Sequence, residues 1–152
     1  PPCQRYSVGT KRWEGRAEDH PDYVSLTREL LDHSGVPYVI ENVPGAPLRA
    51  DLKLCGFMFP GIKVIRHRIF EIKGFEARQP EHKKHVGKRG EDYFTVAGHP
   101  GGFSKRDQVR IGTTEEWCDA MQIDWMTSKE IVEAIPPAYS MYIAEEFKRC
   151  VD

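Results

Sequence analysis

The sequence contains no apolar run of the roughly 18 residues that a membrane-spanning helix requires, and no signal-peptide pattern opens it. It also lacks a basic excess, since 22 lysines and arginines face 23 aspartates and glutamates, so the overall charge alone does not indicate a nucleic-acid partner. With 39% apolar and 30% charged residues, the composition predicts a single folded domain over residues 1–152, with no membrane association.

Cysteine pairs are missing as well, because the four cysteines are widely spaced and form no Cys-x-x-Cys motif. A disulfide framework is not indicated at this density, which predicts a reducing, cytoplasmic setting in which a nucleophilic thiol would stay usable. Cys3 is the candidate nucleophile, because Pro1, Pro2 and Gln4 form a short, stiff segment around it that suits an exposed thiol. Packing roles are predicted for Cys55, Cys118 and Cys150.

The histidines offer only a weak metal pattern. His82 and His85 have the spacing His-x-x-His, and together with His99, and with Cys118 as a further ligand, they could hold zinc. The spacing is short and no cysteine pair accompanies it, so the favoured interpretation is that these histidines face solvent or contact phosphates. No metal site is therefore predicted.

The first half of the chain predicts an α/β fold. Residues Val8 to Asp19 are polar and predict an exposed loop, and His20-Pro21 then begins a helix that ends near Gly35. The following run, Tyr38 to Val43, is rich in β-branched residues and ends at Pro44, which predicts a buried parallel strand. A helix followed by a buried strand is typical of a doubly wound sheet.

The second half predicts a strand, a loop-rich insertion and a helical end. Ile65 to Ile72 alternates as a strand does, whereas residues 74–112 show no sustained period and predict an insertion with one strand at Tyr93 to Ala97. Two capping-box patterns and a Pro-Pro pair predict three C-terminal helices, which begin at Thr113-x-x-Glu116, Thr127-x-x-Glu130 and Pro136-Pro137.

Three charged residues in the predicted strands are candidates for chemistry. Glu41 interrupts an apolar strand, where an unpaired carboxylate is costly. Either it points to solvent where the strand ends or it serves a site, and both interpretations place it near the strand end where ligands bind in an open α/β sheet. Arg66 and Arg68 share a strand face, which suits either a solvated edge strand or phosphate and carboxylate contacts.

Basic residues outnumber acidic ones between Lys63 and Arg110, although the C-terminal part is acidic. With two aromatic residues interleaved, this basic segment could face a DNA groove, and an ordinary solvated loop fits equally well. The residues concerned are Lys83, Lys84, Lys88, Arg89, Lys105 and Arg106, with Tyr93 and Phe103.

Three short motifs, in this order, resemble those of the DNA (cytosine-5) methyltransferases: Pro1-Pro2-Cys3-Gln4, Glu41-Asn42-Val43 and Arg66-His67-Arg68. The third departs from the family's Gln-x-Arg-x-Arg, since Val64 stands at the glutamine position. Ala134 to Ala138 is similar to the family's last motif, although Val132-Glu133 replaces the usual Gly-Asn. The resemblance runs from Pro1 to about Ile143 and is closest to small, phage-type members, which act in restriction and modification among other roles.

The resemblance implies methylation of cytosine at C5 in double-stranded DNA, with S-adenosylmethionine as the cofactor. Cys3 would add to C6 of a base flipped out of the stack, and Glu41 would bind N3. Arg68 would hold the base O2 and Arg66 a nearby phosphate. Residues 74–112 would form the target-recognition insertion.

The cofactor motif of that family, a glycine-rich turn after a first strand, is missing, and Gly98 to Gly102 is no substitute because no apolar strand leads into a helix there. Glu133 and Ala134 remain as the cofactor-binding candidates. We therefore expect a partial Rossmann-like methyltransferase sheet with C-terminal helices, in a fragment that is inactive alone. Its cofactor half would be lost, cleaved away or supplied by a second chain.

Other functions remain open at this point. A tRNA (cytosine-5) methyltransferase shares the chemistry, and a non-catalytic DNA-binding or subunit protein could keep the scaffold while needing a partner chain. A thiol hydrolase using Cys3 with a histidine leaves Glu41 and the arginine pair unexplained.

Overall fold

The computed structural model describes residues 1–11 and 18–152, so Arg12 and Arg16 of the predicted exposed loop lie outside the described residues. Contacts within the chain form two compact units. The first contains Pro1–Leu54, His67–Gln79 and Glu146–Asp152, and the second contains Cys55–Arg66 and Pro80–Glu145.

A three-stranded antiparallel sheet forms the centre of the first unit. Its strands are β1 (Tyr38–Asn42), β2 (Leu52–Leu54) and β3 (Arg68–Lys73), and β3 lies between the other two. The prediction that the Tyr38 strand pairs in parallel is wrong, since its partner β3 runs in the opposite direction. Residues 43–67, which join β1 to β3, form β2 and a 3-10 helix but no long helix of the kind that usually carries the chain across a sheet to a parallel strand. Here β1 and β2 do run in the same direction, but β3 separates them.

The helices of the first unit precede the sheet. A short helix α1 (Val8–Lys11) is followed by α2 (Val24–Ser34). The predicted helix is confirmed, with a later start than Pro21 and with Gly35 as its left-handed C-terminal residue at φ 68°. Val24 is its buried residue, whereas the large apolar side chains of Leu26 and Leu30 are exposed.

The second unit has a core of buried aromatic and aliphatic side chains, which includes Val64, Phe94, Trp117, Met121 and Ile131. A 3-10 helix (Gly56–Met58) lies at its start, and a short antiparallel hairpin joins β4 (Phe103–Ser104) to β5 (Val109–Arg110). The predicted strand at Tyr93 to Ala97 is wrong, because only isolated bridges form there, at Tyr93 and Phe94.

The three predicted C-terminal helices are confirmed as α3 (Thr114–Met121), α4 (Ser128–Ile131) and α5 (Pro137–Val151). Thr113 accepts from the Glu116 amide at 3.3 Å and its own amide donates to the Glu116 carboxylate at 2.8 Å. The amide of Thr127 likewise donates to the Glu130 carboxylate at 2.8 Å. These side chains satisfy the otherwise unbonded amides of a first turn.

The fold is thus of mixed α/β class, with small antiparallel sheets and helices. Over residues 1–11 and 18–152, no helix combines the length and the apolar character needed to cross a membrane.

Candidate functional site

Cys3 lies in a tight turn of the first unit. Its carbonyl oxygen accepts from the amides of Tyr6 at 3.0 Å and Ser7 at 2.9 Å, and the residue is half-buried. Arg5 donates to the His20 carbonyl at 2.8 Å, which ties the turn to the segment before α2. Burial, and next the neighbouring Asp22 carboxylate, raise the pKa of the Tyr6 phenol to about 12, so this phenol stays neutral. The Cys3 thiol thus belongs to a turn whose backbone is held by the hydrogen bonds to the Cys3 carbonyl.

Asn42 joins this opening segment to the end of β1. Its side chain is fully buried, and Nδ2 donates to the carbonyl of Pro1 at 3.2 Å while Oδ1 accepts from the amide of Val43 at 2.8 Å. A buried amide whose donor and acceptor are both used is costly to replace. Through this hydrogen bond Asn42, the residue that follows Glu41, holds Pro1 at the end of β1. Cys3 is two residues away from Pro1 along the chain.

Glu41 and Arg68 are brought together by the register of the sheet. Glu41 lies opposite Phe70, so Arg68, two residues earlier in β3, is its diagonal neighbour on the same face. Arg68 Nε lies 2.8 Å from Glu41 Oε1, and the two side chains are 13% and 34% exposed. Three of the four predicted catalytic residues, Cys3, Glu41 and Arg68, therefore belong to one unit.

Arg66 belongs to the second unit instead. Its guanidinium donates to the carbonyls of Val96, at 2.9 Å, and of Val132. Its own carbonyl accepts from the Tyr139 hydroxyl at 2.9 Å. These contacts tie α5 and two other segments together, and the predicted phosphate contact of Arg66 stays a prediction.

The cofactor-binding candidates Glu133 and Ala134 lie in the turn after α4. Their amides already donate to the carbonyls of Glu130 at 3.0 Å and Ile131 at 3.3 Å, and Glu133 is exposed. One exposed carboxylate in a turn whose amides are engaged does not fit a site for S-adenosylmethionine, which needs a shaped cleft with polar groups that converge on the ligand.

A buried charge cluster in the first unit was missed by the sequence analysis. Glu71 of β3 is fully buried, and Arg28 binds its carboxylate through Nε at 2.7 Å and a terminal nitrogen at 2.9 Å. Arg49 adds its amide at 3.1 Å and a guanidinium nitrogen at 3.2 Å. The pKa of Glu71 is lowered, and the hydrogen bonds from Arg28 are the largest cause. The cluster fastens α2 to the strand that carries Arg68.

A second missed cluster lies in the second unit, around a cysteine that was predicted to serve packing. Cys55 is fully buried, and its Sγ lies 3.2 Å from His85 Nε2 and 3.0 Å from the carbonyl of Ile65. The rings of His82 and His85 are 4.9 Å apart. Burial raises the pKa of the Cys55 thiol, and the backbone amide of Phe57 opposes that rise. Distant segments supply these residues, so spacing along the chain gave no signal beyond His-x-x-His.

The predicted DNA-contacting residues lie in the second unit. The β4–β5 hairpin has an exposed tip with Lys105 and Arg106, and the Phe103 side chain beside it is exposed. Arg89 lies 3.5 Å from the Asp107 carboxylate, so part of this basic charge is balanced within the unit.

The first unit thus contains a thiol turn, a strand-end carboxylate and an arginine, whereas the remaining predicted site residues belong to the second unit. Comparison of the chain with protein-family models, with curated proteins and with solved structures found no match.

Proposed function

We propose that this chain carries the base-activating part of a DNA (cytosine-5) methyltransferase, with Cys3 as its nucleophile. The observation that carries the proposal is the 3.2 Å hydrogen bond from Asn42 to Pro1, which ties the Cys3 turn to the strand end that bears Glu41. Glu41 is in turn paired with Arg68 at 2.8 Å. A thiol can add to a pyrimidine, while a carboxyl group and a guanidinium can hydrogen-bond the ring, so these three groups suit activation of the base.

Activation of the base begins with bond formation at C6. The Cys3 thiolate adds to C6, and the π electrons of the C5–C6 bond move toward C5 as the ring becomes an enamine. Glu41 acts at N3 in its protonated form, with a proton taken from solvent, and its hydrogen bond stabilises the charge that develops in the ring. Without a cofactor, C5 takes a proton from water. Loss of either C5 hydrogen then restores the double bond as the sulfur–carbon bond breaks, and the thiolate leaves.

Arg68 acts on both Glu41 and the base. The ion pair fixes the carboxylate at the end of β1, and the one-third exposure of Glu41 leaves it accessible to a base. The planar guanidinium offers donors for the O2 of cytosine. S-adenosylmethionine, if held by residues outside this chain, would supply the methyl group.

Double-stranded DNA is the proposed partner, and the target base has to be flipped because its C6 cannot be reached inside the stack. The exposed hairpin supports this choice, since the major groove of B-DNA admits a two-stranded ribbon. Lys105 and Arg106 at its tip suit phosphates, which position a protein on the duplex. Arg66 of the second unit remains a proposed phosphate contact.

The cofactor half is proposed to complete a Rossmann-like sheet by adding a strand at the edge of β1, and to cover Leu26 and Leu30 of α2. Among the described residues, β1 pairs with β3 alone and is an edge strand, which can accept a further strand. Leu26 and Leu30, four residues apart on α2, expose an apolar face in the same unit. A segment with a glycine-rich turn, from a second chain or from elsewhere in the same protein, would bind there.

Release of tritium from cytosine labelled at C5 tests the proposal without any cofactor. Without its cofactor half the chain should transfer no methyl group, but exchange at C5 needs no cofactor, so we expect the wild-type chain to catalyse it in DNA. Glu41→Gln should slow the exchange by about 10²- to 10⁴-fold, the contribution typical of general acid–base catalysis. Glu29→Gln is the matched control, because Glu29 is an exposed carboxylate on α2 and its loss should leave the rate unchanged.

The nucleic acid is varied in the same assay, with random-sequence duplex DNA, single-stranded DNA and RNA. Release from RNA alone would move the proposal to a tRNA-type methyltransferase with the same chemistry. If DNA binds, as followed by fluorescence anisotropy, and no pool releases tritium, the enzyme proposal is wrong and a non-catalytic DNA-binding protein is favoured. A Glu41→Gln rate equal to that of the wild type would remove Glu41 from the mechanism.

A further inference from the structure

The Cys55 cluster has the spacing of a metal site. The Sγ of Cys55 and one ring nitrogen each of His82 and His85 all lie within 4.8 Å of one another, and Sγ is 3.2 Å from His85 Nε2. Tetrahedral zinc, with bonds of about 2.3 Å to sulfur and about 2.0–2.1 Å to nitrogen, places these atoms about 3.6 Å apart. Small side-chain rotations are therefore enough to bring the three ligand atoms onto one ion.

Neither of two simpler interpretations accounts for the cluster. A packing thiol needs one acceptor, which the carbonyl of Ile65 provides at 3.0 Å, so the approach of two imidazoles remains unexplained. A catalytic cysteine with His85 as its base would have to meet a substrate, and Cys55 is fully buried.

The residues that follow Cys55 hold the cluster in place. The Phe57 ring packs edge-on against His85, with ring centroids 5.1 Å apart, and this contact restricts how the imidazole can turn. At Gly56 a Cβ would lie 1.9 Å from the carbonyl of Val64, so only glycine permits this close path of the chain beside Cys55.

We propose that Cys55, His82 and His85 bind a structural zinc ion that fastens residues 80–86 to the 3-10 helix. Residues 80–86 contain neither helix nor strand, and a metal link would give this segment a fixed place in the second unit. One thiolate with two imidazoles selects zinc over magnesium or calcium, which prefer oxygen ligands. The fourth position takes a water molecule, which completes the tetrahedral coordination.

Metal content of the full 152-residue chain tests the proposal. After removal of metals with a chelator and reloading with zinc, we expect one zinc ion per chain by mass spectrometry and a higher Tm than in the metal-free protein. Loading with cobalt instead should give the absorption of a tetrahedral site with thiolate-to-metal charge transfer. Cys55→Ser should remove that charge transfer, and His85→Ala should weaken zinc binding by at least about 100-fold.

His99→Ala and Cys118→Ser are the matched controls, since they remove an imidazole and a thiol of the same unit that lie outside the cluster. Both should keep one zinc ion per chain. Circular dichroism checks that each variant folds, and if Cys55→Ser does not, His82→Gln replaces it because His82 is exposed. The proposal is overturned if the wild type binds less than one equivalent at micromolar free zinc. It is equally overturned if the cluster variants bind as the wild type does.

Discussion

Replacing Cys3 with serine is expected to reduce the release of tritium from C5-labelled cytosine to the rate in buffer. We expect a loss of at least about 10³-fold, as for other enzymes that lose their nucleophile. A thiolate is a strong nucleophile near neutral pH, whereas a serine hydroxyl needs an adjacent base to act. The hydrogen bonds that order the turn use the carbonyl of Cys3 and not its sulfur, so the turn itself should persist.

Cys150→Ser is the matched control for this loss. Cys150 is an exposed thiol in the same unit, and we expect its replacement to leave the exchange rate unchanged. Denaturant unfolding of both variants should confirm that Cys3→Ser is as stable as the wild type within the error of the method. Exchange by Cys3→Ser at the wild-type rate would show that Cys3 is not the nucleophile.

Replacing Arg28 with methionine is expected to lower the free energy of unfolding by about 3–5 kcal/mol, the range measured when one partner of a buried ion pair is removed. Methionine keeps much of the apolar contact of the arginine stem, but it removes two hydrogen bonds, at 2.7 and 2.9 Å, from a fully buried carboxylate. Arg49 alone would then have to balance the charge of Glu71. Urea unfolding followed by circular dichroism measures the change.

Lys73→Met is the control for this prediction, because it breaks the exposed ion pair between Lys73 and Asp32 in the same unit. Exposed pairs contribute little to stability, so the denaturation midpoint should barely move. If Lys73→Met and Arg28→Met lower the free energy of unfolding equally, the buried Glu71 cluster contributes no more stability than an exposed ion pair.

The same cluster sets an expected dependence of stability on pH. Since Arg28 holds the pKa of Glu71 below its ordinary value of 4.5, the carboxylate contributes stability that is fully present above that value. This contribution is lost as the pH falls through the lowered pKa of the folded protein. In Arg28→Met the pKa of Glu71 is lowered less, so the free energy of unfolding of this variant should decline less steeply below pH 4.5.

Elements that depend on local chemistry were predictable from the sequence. Gly35 ends α2 because glycine tolerates the left-handed conformation, and Pro137 begins α5 because proline suits a first turn. The two threonine capping boxes were equally clear, since each needs only residues three positions apart.

The direction of strand pairing was not predictable in the same way. The run from Tyr38 to Asn42 indicates burial, but a short apolar run carries no information on which strand lies beside it. The β4–β5 hairpin was missed because each of its strands has two residues, too few for an alternating pattern.

In the candidate site, too, residues in sequence motifs were predictable, whereas residues that depend on distant partners were not. Motif order pointed to Cys3, Glu41 and Arg68, and the register of β1 against β3 accounts for the ion pair between the last two. The roles of Glu71 and Cys55 depend on residues far away in the sequence, such as Arg28 and His85. No local pattern could name these partners, because the fold alone brings them together.

Covalent trapping at Cys3 tests the central claim most directly. A DNA duplex with random flanks carries 2-pyrimidinone in place of cytosine. This base lacks the amino group that feeds electrons into the ring, so C6 is more electrophilic and the thiolate adduct should accumulate without methyl transfer. We predict one adduct per chain by intact-mass spectrometry, located on the peptide that contains Cys3 and absent from Cys3→Ser. No adduct at saturating DNA, or an adduct at Cys118 or Cys150, would contradict the proposal that Cys3 activates a pyrimidine.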